Sequence, residues 1–140
     1  MLSKPPASSV NSDEWMEAIF STTILRNPWL KHRPHAKQAE FLALADFPEI
    51  LFGGSAGGGK SDALLMGAIQ FVDVPDYAAI IFRQRTTDQA LKGGLIERSQ
   101  EWLQGTAASW DHRTKTWTFP SGAIVTFGYL EAENDRFRYA

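Results

Sequence analysis

The chain has 140 residues, 44% hydrophobic and 12% aromatic, which is material for one globular core. Its formal charge is −2, so it carries no general basic footprint for nucleic acid and any DNA contact must be local. Cysteine is absent, which excludes a disulfide framework and a thiolate metal site; no apolar run approaches the length of a membrane span, and Pro5, Pro6, Ser8 and Ser9 stand where a signal peptide needs an apolar core. A soluble intracellular protein is the default expectation.

In chain order, residues 1–11 read as a tail, and Asn11 or Ser12 can cap a short helix through about Phe20. Pro28 and Pro34 punctuate a basic stretch, Arg26 to Lys37, whose first part to Arg33 reads as a solvated segment. A helix is predicted from about His35 to Ala45, with Phe41, Leu42 and Ala45 on one side and Pro48 as its stop. The apolar run Ile50-Leu51-Phe52 is a candidate strand.

Directly after it, Gly54-Ser55-Ala56-Gly57-Gly58-Gly59-Lys60-Ser61 reads G-x-x-x-x-G-K-S, the pattern of a phosphate-binding loop. The glycines let the backbone curl tightly enough to aim successive N–H groups at phosphate oxygens, and a helix opening near Lys60 adds the positive end of its dipole. Lys60 then bridges the outer phosphates and the Ser61 hydroxyl ligates Mg²⁺. A flexible glycine linker is the competing reading. It is weakened by the amphipathic helix that follows, in which Ala63, Leu64, Met66, Gly67, Ile69 and Gln70 lead on to Phe71.

Pro75 and Asp76 mark the next connection, and Tyr77 to Phe82 reads as a fully buried strand of the parallel kind, so that strand, helix and strand imply a right-handed parallel unit. Leu95, Ile96, Ser99, Trp102 and Leu103 fall at helical spacing. Thr116–Phe119 and Ala123–Phe127 flank Pro120-Ser121-Gly122, a hairpin signal. ATP hydrolysis needs an apolar strand ending in Asp, usually with an adjacent Glu. None is evident: Glu131 competes for that role with a solvated acidic turn that includes Glu133 and Asp135, and truncation before the catalytic strand is the simpler expectation.

Taken together, His35-Ala36-Lys37-Gln38-Ala39-Glu40-Phe41, Phe52-Gly53-Gly54 with the glycine loop, and Lys60 to Leu65 resemble the ATPase domain of the large terminase subunit of tailed bacteriophages. Ile80 to Thr86, Gly94 to Ser99 with Trp102, Phe119 to Ala123, Phe127 to Leu130 and Asp135 to Tyr139 resemble later segments of that family in the same order, over about residues 34–139. The resemblance implies a three-layer α/β P-loop NTPase with a mainly parallel sheet of the additional-strand type, incomplete at its C-terminal end. Residues 1–33 are then a tail with a short helix and residues 34–140 a partial ATPase domain, with the nuclease domain outside the chain.

It implies an ATP- and Mg²⁺-dependent motor that packages double-stranded DNA in the host bacterial cytoplasm, docked transiently on the procapsid. A portal protein, a small terminase subunit and further copies in a homo-oligomeric ring are its implied partners. The family often carries an arginine inside the phosphate loop, where this chain has Ser55 and Ala56; Arg83 and Arg85 are the available substitutes, each set against an ordinary surface arginine.

Gln38 has an amide that donates and accepts at once, which suits the edge of an adenine; a plain solvent-facing residue is the alternative. His32, His35 and His112 show no metal-ligand spacing, and Trp102, Trp110 and Trp117 read as core before they read as stacking platforms. A non-hydrolysing nucleotide-binding module, such as a decayed prophage remnant, is the competing function. The reading frame past Ala140 discriminates: an Asp-Glu strand supports the motor, a stop codon the remnant. The 140 residues alone are expected to bind nucleotide poorly and hydrolyse it negligibly.

Overall fold

Proline and glycine at 120 and 122 set the chain up for a tight reversal, and it occurs there. The computed structural model describes residues 14, 27–55, 59–83, 94–130 and 138. Its elements are α1 (Ala36–Ala43), α2 (Lys60–Ile69), β1 (Ala78–Arg83), α3 (Leu95–Leu103), β2 (Ser109–Asp111), β3 (Thr116–Thr118) and β4 (Ile124–Tyr129). Gly122 takes a φ of +88°, open to a residue without Cβ. Its N–H donates to Phe119 O at 2.9 Å, and Phe119 N–H donates to Ala123 O at 2.9 Å. The predicted hairpin is therefore present as β3–β4.

The sheet has the order β1-β4-β3-β2, with β1 parallel to β4 and the other two pairings antiparallel. With three helices this is an α/β arrangement, and among the described residues the sheet is mixed where a mainly parallel one is expected. The reason is local: short turns join β2 to β3 and β3 to β4, and such connections leave only antiparallel pairing open. The expected strand at 50–52 does not form. Leu51 is 99% exposed, and the three residues, closed in by Pro48 and Gly53, find no neighbour to pair with among the described residues. Phe52 instead sets its ring 5.1 Å from that of Phe41.

The chain divides into two compact units, 1–70 and 71–140. In the first, α1 packs on α2, and a Cβ on Gly67 would stand only 3.2 Å from Phe41 Cε1. Leu42, Ala63, Leu65, Met66, Ala68 and Ile69 are buried, whereas Leu64, expected on the apolar face, is exposed. The segment before α1 is not wholly solvated as expected: Asn27 and Trp29 are buried, while Lys31, His32 and Arg33 are exposed. Asn27 explains part of this, since its Oδ1 accepts from Trp29 N–H at 3.1 Å and its Nδ2 donates to Ile69 O at 3.4 Å. The helix predicted at 12–20 lies outside the described residues apart from Glu14.

In the second unit β1 is not the fully buried strand its composition suggests. Register places Ala79, Ile81 and Arg83 beside Val125, Phe127 and Tyr129 on one face, with Ile80, Phe82 and Ile124 on the other and exposed. The buried face continues through Trp117, opposite Val125, and is tied to α3 by a hydrogen bond from Trp117 Nε1 to Ser99 Oγ at 2.9 Å. Leu95, Ser99, Trp102 and Leu103 of α3 are buried, as their spacing predicts. Ser121 links the hairpin turn to the chain ahead of β1, its Oγ donating to Val72 O and accepting from Ala123 N–H at 3.1 Å. In the β2–β3 turn, backbone N–H groups of Arg113 and Thr114 on the Asp111 carboxylate hold its pKa below the ordinary value. Among the described residues no helix is long and apolar enough to cross a membrane.

Ser99 Oγ accepts from the buried Trp117 N–H, so Ser99→Ala orphans an indole donor. We expect a loss of about 1–3 kcal/mol in unfolding free energy by denaturant titration. Adding Trp117→Phe should cost less than the sum of the two single changes, because the donor is then gone as well.

Candidate phosphate-binding site

Gly59 closes the glycine loop and caps α2. It takes φ +75° and ψ +17°, left-handed values that a side chain disfavours, and its carbonyl accepts the first helical bond, from Ala63 N–H at 3.0 Å. A second donor reaches the same oxygen: Gln38 Nε2, at 2.8 Å from α1. The other end of that amide, Oε1, accepts from His35 N–H at 3.0 Å, so the first turn of α1 is capped by the residue that holds the loop. Gln38 is 1% exposed, which rules out the plain solvent-facing reading.

Lys60 opens α2 and folds back over the start of the loop. Its Nζ donates to Gly54 O at 2.8 Å and to Ser55 O at 2.5 Å. Thus the two ends of the loop are drawn together by its lysine, and the ammonium stands beside the N-terminus of a ten-residue helix. Ser61 follows in the first helical turn. Asp62, also in that turn, complements the helix dipole, and its Oδ2 lies 3.0 Å from His32 Nε2. His32 is itself oriented through Nδ1, which lies 2.9 Å from Arg33 O.

The first unit therefore brings together Gln38, Gly54, Ser55, Gly59, Lys60 and Ser61 of the expected site. Ala56, Gly57, Gly58, Arg85 and Glu131 lie outside the described residues. Arg83 ends β1 in the second unit, half-buried, its carbonyl accepting from Leu130 N–H at 3.0 Å. Trp102 and Trp117 are core residues, and Trp110 packs its ring tilted against Trp117 and edge-on to Phe127, with ring centroids 5.2 and 6.0 Å away.

Comparison with known proteins returned no match. No family model, curated protein or solved structure is similar to the chain at a significant level. The site is therefore read from its own chemistry. An ammonium and a helix N-terminus suit a multiply charged oxyanion. For Mg²⁺ the donor chemistry fits at one point, the Ser61 hydroxyl, a hard oxygen next to where the anion would sit. Among the described residues no group of three or more His, Asp or Glu gathers for a metal.

The partnership of His32 with Asp62 and the seat of His35 against Gly59 escape sequence reasoning. The first pair is separated by 30 positions, a spacing with no periodic meaning. A Cβ on Gly59 would lie 2.8 Å from His35 Nε2 and 2.5 Å from Gln38 Nε2, a consequence of tertiary packing alone. Gly59→Ala should accordingly force α1 away from the loop and strain the backbone by about 1–2 kcal/mol on top of the clash. A lowered melting temperature together with lost triphosphate binding, measured by calorimetry, is the expected result.

Proposed function

We propose that the chain binds ATP through Gly54–Ser61 and belongs to an ATP-driven motor that moves double-stranded DNA into a viral procapsid. The single observation carrying the nucleotide part is the Lys60 ammonium folded over the loop mouth, beside the N-terminus of α2. The ordered series of terminase-like segments, from His35 to Tyr139, supports the motor part. A three-layer P-loop architecture belongs to the same reading.

On this reading Lys60 leaves two neutral carbonyls for the outer phosphates, a charge-assisted contact in place of ordinary ones. Backbone N–H groups of the loop bind the inner phosphates. Ser61 supplies one hydroxyl to Mg²⁺, which when bound neutralises charge on the phosphate oxygens. Arg83 and Arg85 are proposed to act on the nucleotide's outer phosphate or to couple its state to movement. Double-stranded DNA, a portal protein, a small subunit and other copies of the chain are the proposed partners, and the host cytoplasm the proposed location.

Thermal melts with and without Mg·ATP test the reading. Because the 140 residues are expected to bind weakly, Mg·ATP should raise the melting temperature of the unaltered chain only at high concentration, and Lys60→Ala should abolish that rise. An equal rise in the variant would sink the phosphate-loop assignment. Ser61→Ala should retain weak nucleotide binding that no longer responds to Mg²⁺; unchanged Mg²⁺ dependence would remove Ser61 from the metal.

A further inference from the structure

The amide of Gln38 joins two backbones, the start of α1 and the end of the glycine loop. Nε2 donates to Gly59 O at 2.8 Å, Oε1 accepts from His35 N–H at 3.0 Å, and the side chain is 1% exposed. Gly59 O is at the same time the acceptor of the first α2 hydrogen bond. The bond from Gln38 therefore acts on the residue whose left-handed φ, +75°, decides where the loop ends and the helix begins. Fit is tight on the other side as well, since a Cβ at Gly59 would fall 2.5 Å from Gln38 Nε2. Each amide atom keeps a second hydrogen-bonding position, but a side chain 1% exposed presents neither to an adenine edge from this seat.

We propose that Gln38 is a positioning residue for the phosphate loop, fixing Gly59 so that Lys60 and the α2 N-terminus face the phosphates whatever base the nucleotide carries. This rests on the triphosphate-binding reading above. Its consequence differs from that of a base reader. Loss of the latch weakens every polyphosphate by a common factor, whereas loss of a base contact weakens ATP alone.

The test is calorimetric binding of ATP, GTP and inorganic tripolyphosphate to the full chain and to two variants. Gln38→Ala removes both bonds. Gln38→Glu is nearly isosteric, keeps an acceptor for His35 N–H, and turns an oxygen toward Gly59 O, so it breaks the loop arm alone. In both variants all three ligands should weaken by a shared factor of about tenfold, with the ATP-to-GTP ratio unchanged. Amide exchange separates this from general loosening: the Ala63 N–H, bonded to Gly59 O, should exchange faster in Gln38→Glu while the Phe119 and Ala123 turn amides keep their protection. Selective loss of ATP, with GTP and tripolyphosphate unaffected, would overturn the proposal in favour of base reading, and unaltered binding of all three would overturn it outright. An unaltered chain that binds none of the three would sink the triphosphate reading itself, and the proposal with it.

Discussion

A residue without a side chain, Gly59, is the point on which the first unit turns. Its left-handed backbone lets the chain leave the glycine loop and enter α2 within one residue, and its bare Cα lets the first turn of α1 approach until Gln38 and His35 are in contact range. Either demand alone would favour glycine; together they make any side chain costly here. Helix start, loop closure and the α1–α2 packing are therefore one constraint. It has a chemical corollary, because the same geometry leaves Lys60 as the first helical residue, with its ammonium over the loop carbonyls.

How much of this the sequence discloses depends on whether a feature is local. The β3–β4 hairpin is legible because Pro120 and Gly122 prescribe a turn whatever surrounds it, and α3 is legible because Leu95, Ser99, Trp102 and Leu103 repeat at helical spacing. The helix at 60–69 is legible for the same reason. Ile50-Leu51-Phe52 is misleading because a strand is not a local object: an apolar run becomes one only beside a partner edge, and these three residues find none among the described residues. β1 shows the converse. Its six apolar-rich residues suggest burial on both faces, yet Ile80 and Phe82 face outward, since burial is decided by what packs on the sheet. The seat of Gln38 was half legible: a helix before the loop carrying an amide was visible, the carbonyl that amide would hold was not.

Polar groups inside the second unit show why its core is specific as well as apolar. Trp117 brings a buried indole N–H that must be answered, and Ser99 answers it while donating onward to Ile96 O at 2.7 Å. Rotating α3 by one residue would carry Ser99 away from Trp117 and leave the indole N–H unanswered, while the bond to Ile96, internal to the helix, would survive. Apolar contacts among Leu95, Leu103 and Val125 tolerate such slippage far better than this pair does. Ser121 plays a comparable part at the hairpin, where its hydroxyl serves Val72 O and Ala123 N–H together. Fold and register in this unit thus rest on two serines placed among large side chains.

The electrostatics at the α2 N-terminus follow from the same economy of groups. Lys60 meets two carbonyl oxygens, so on the proposed reading phosphate binding would be an exchange of acceptors, its net gain the difference between a neutral and a charged partner. Asp62, one turn into the helix, would by itself oppose an incoming anion. Its carboxylate lies against His32 Nε2 at 3.0 Å, on the segment that precedes α1. On the proposed reading, anion affinity at this loop would depend on where the Asp62 carboxylate is held, and that in turn on the chain between Asn27 and Pro34 keeping its place through Asn27 and Trp29.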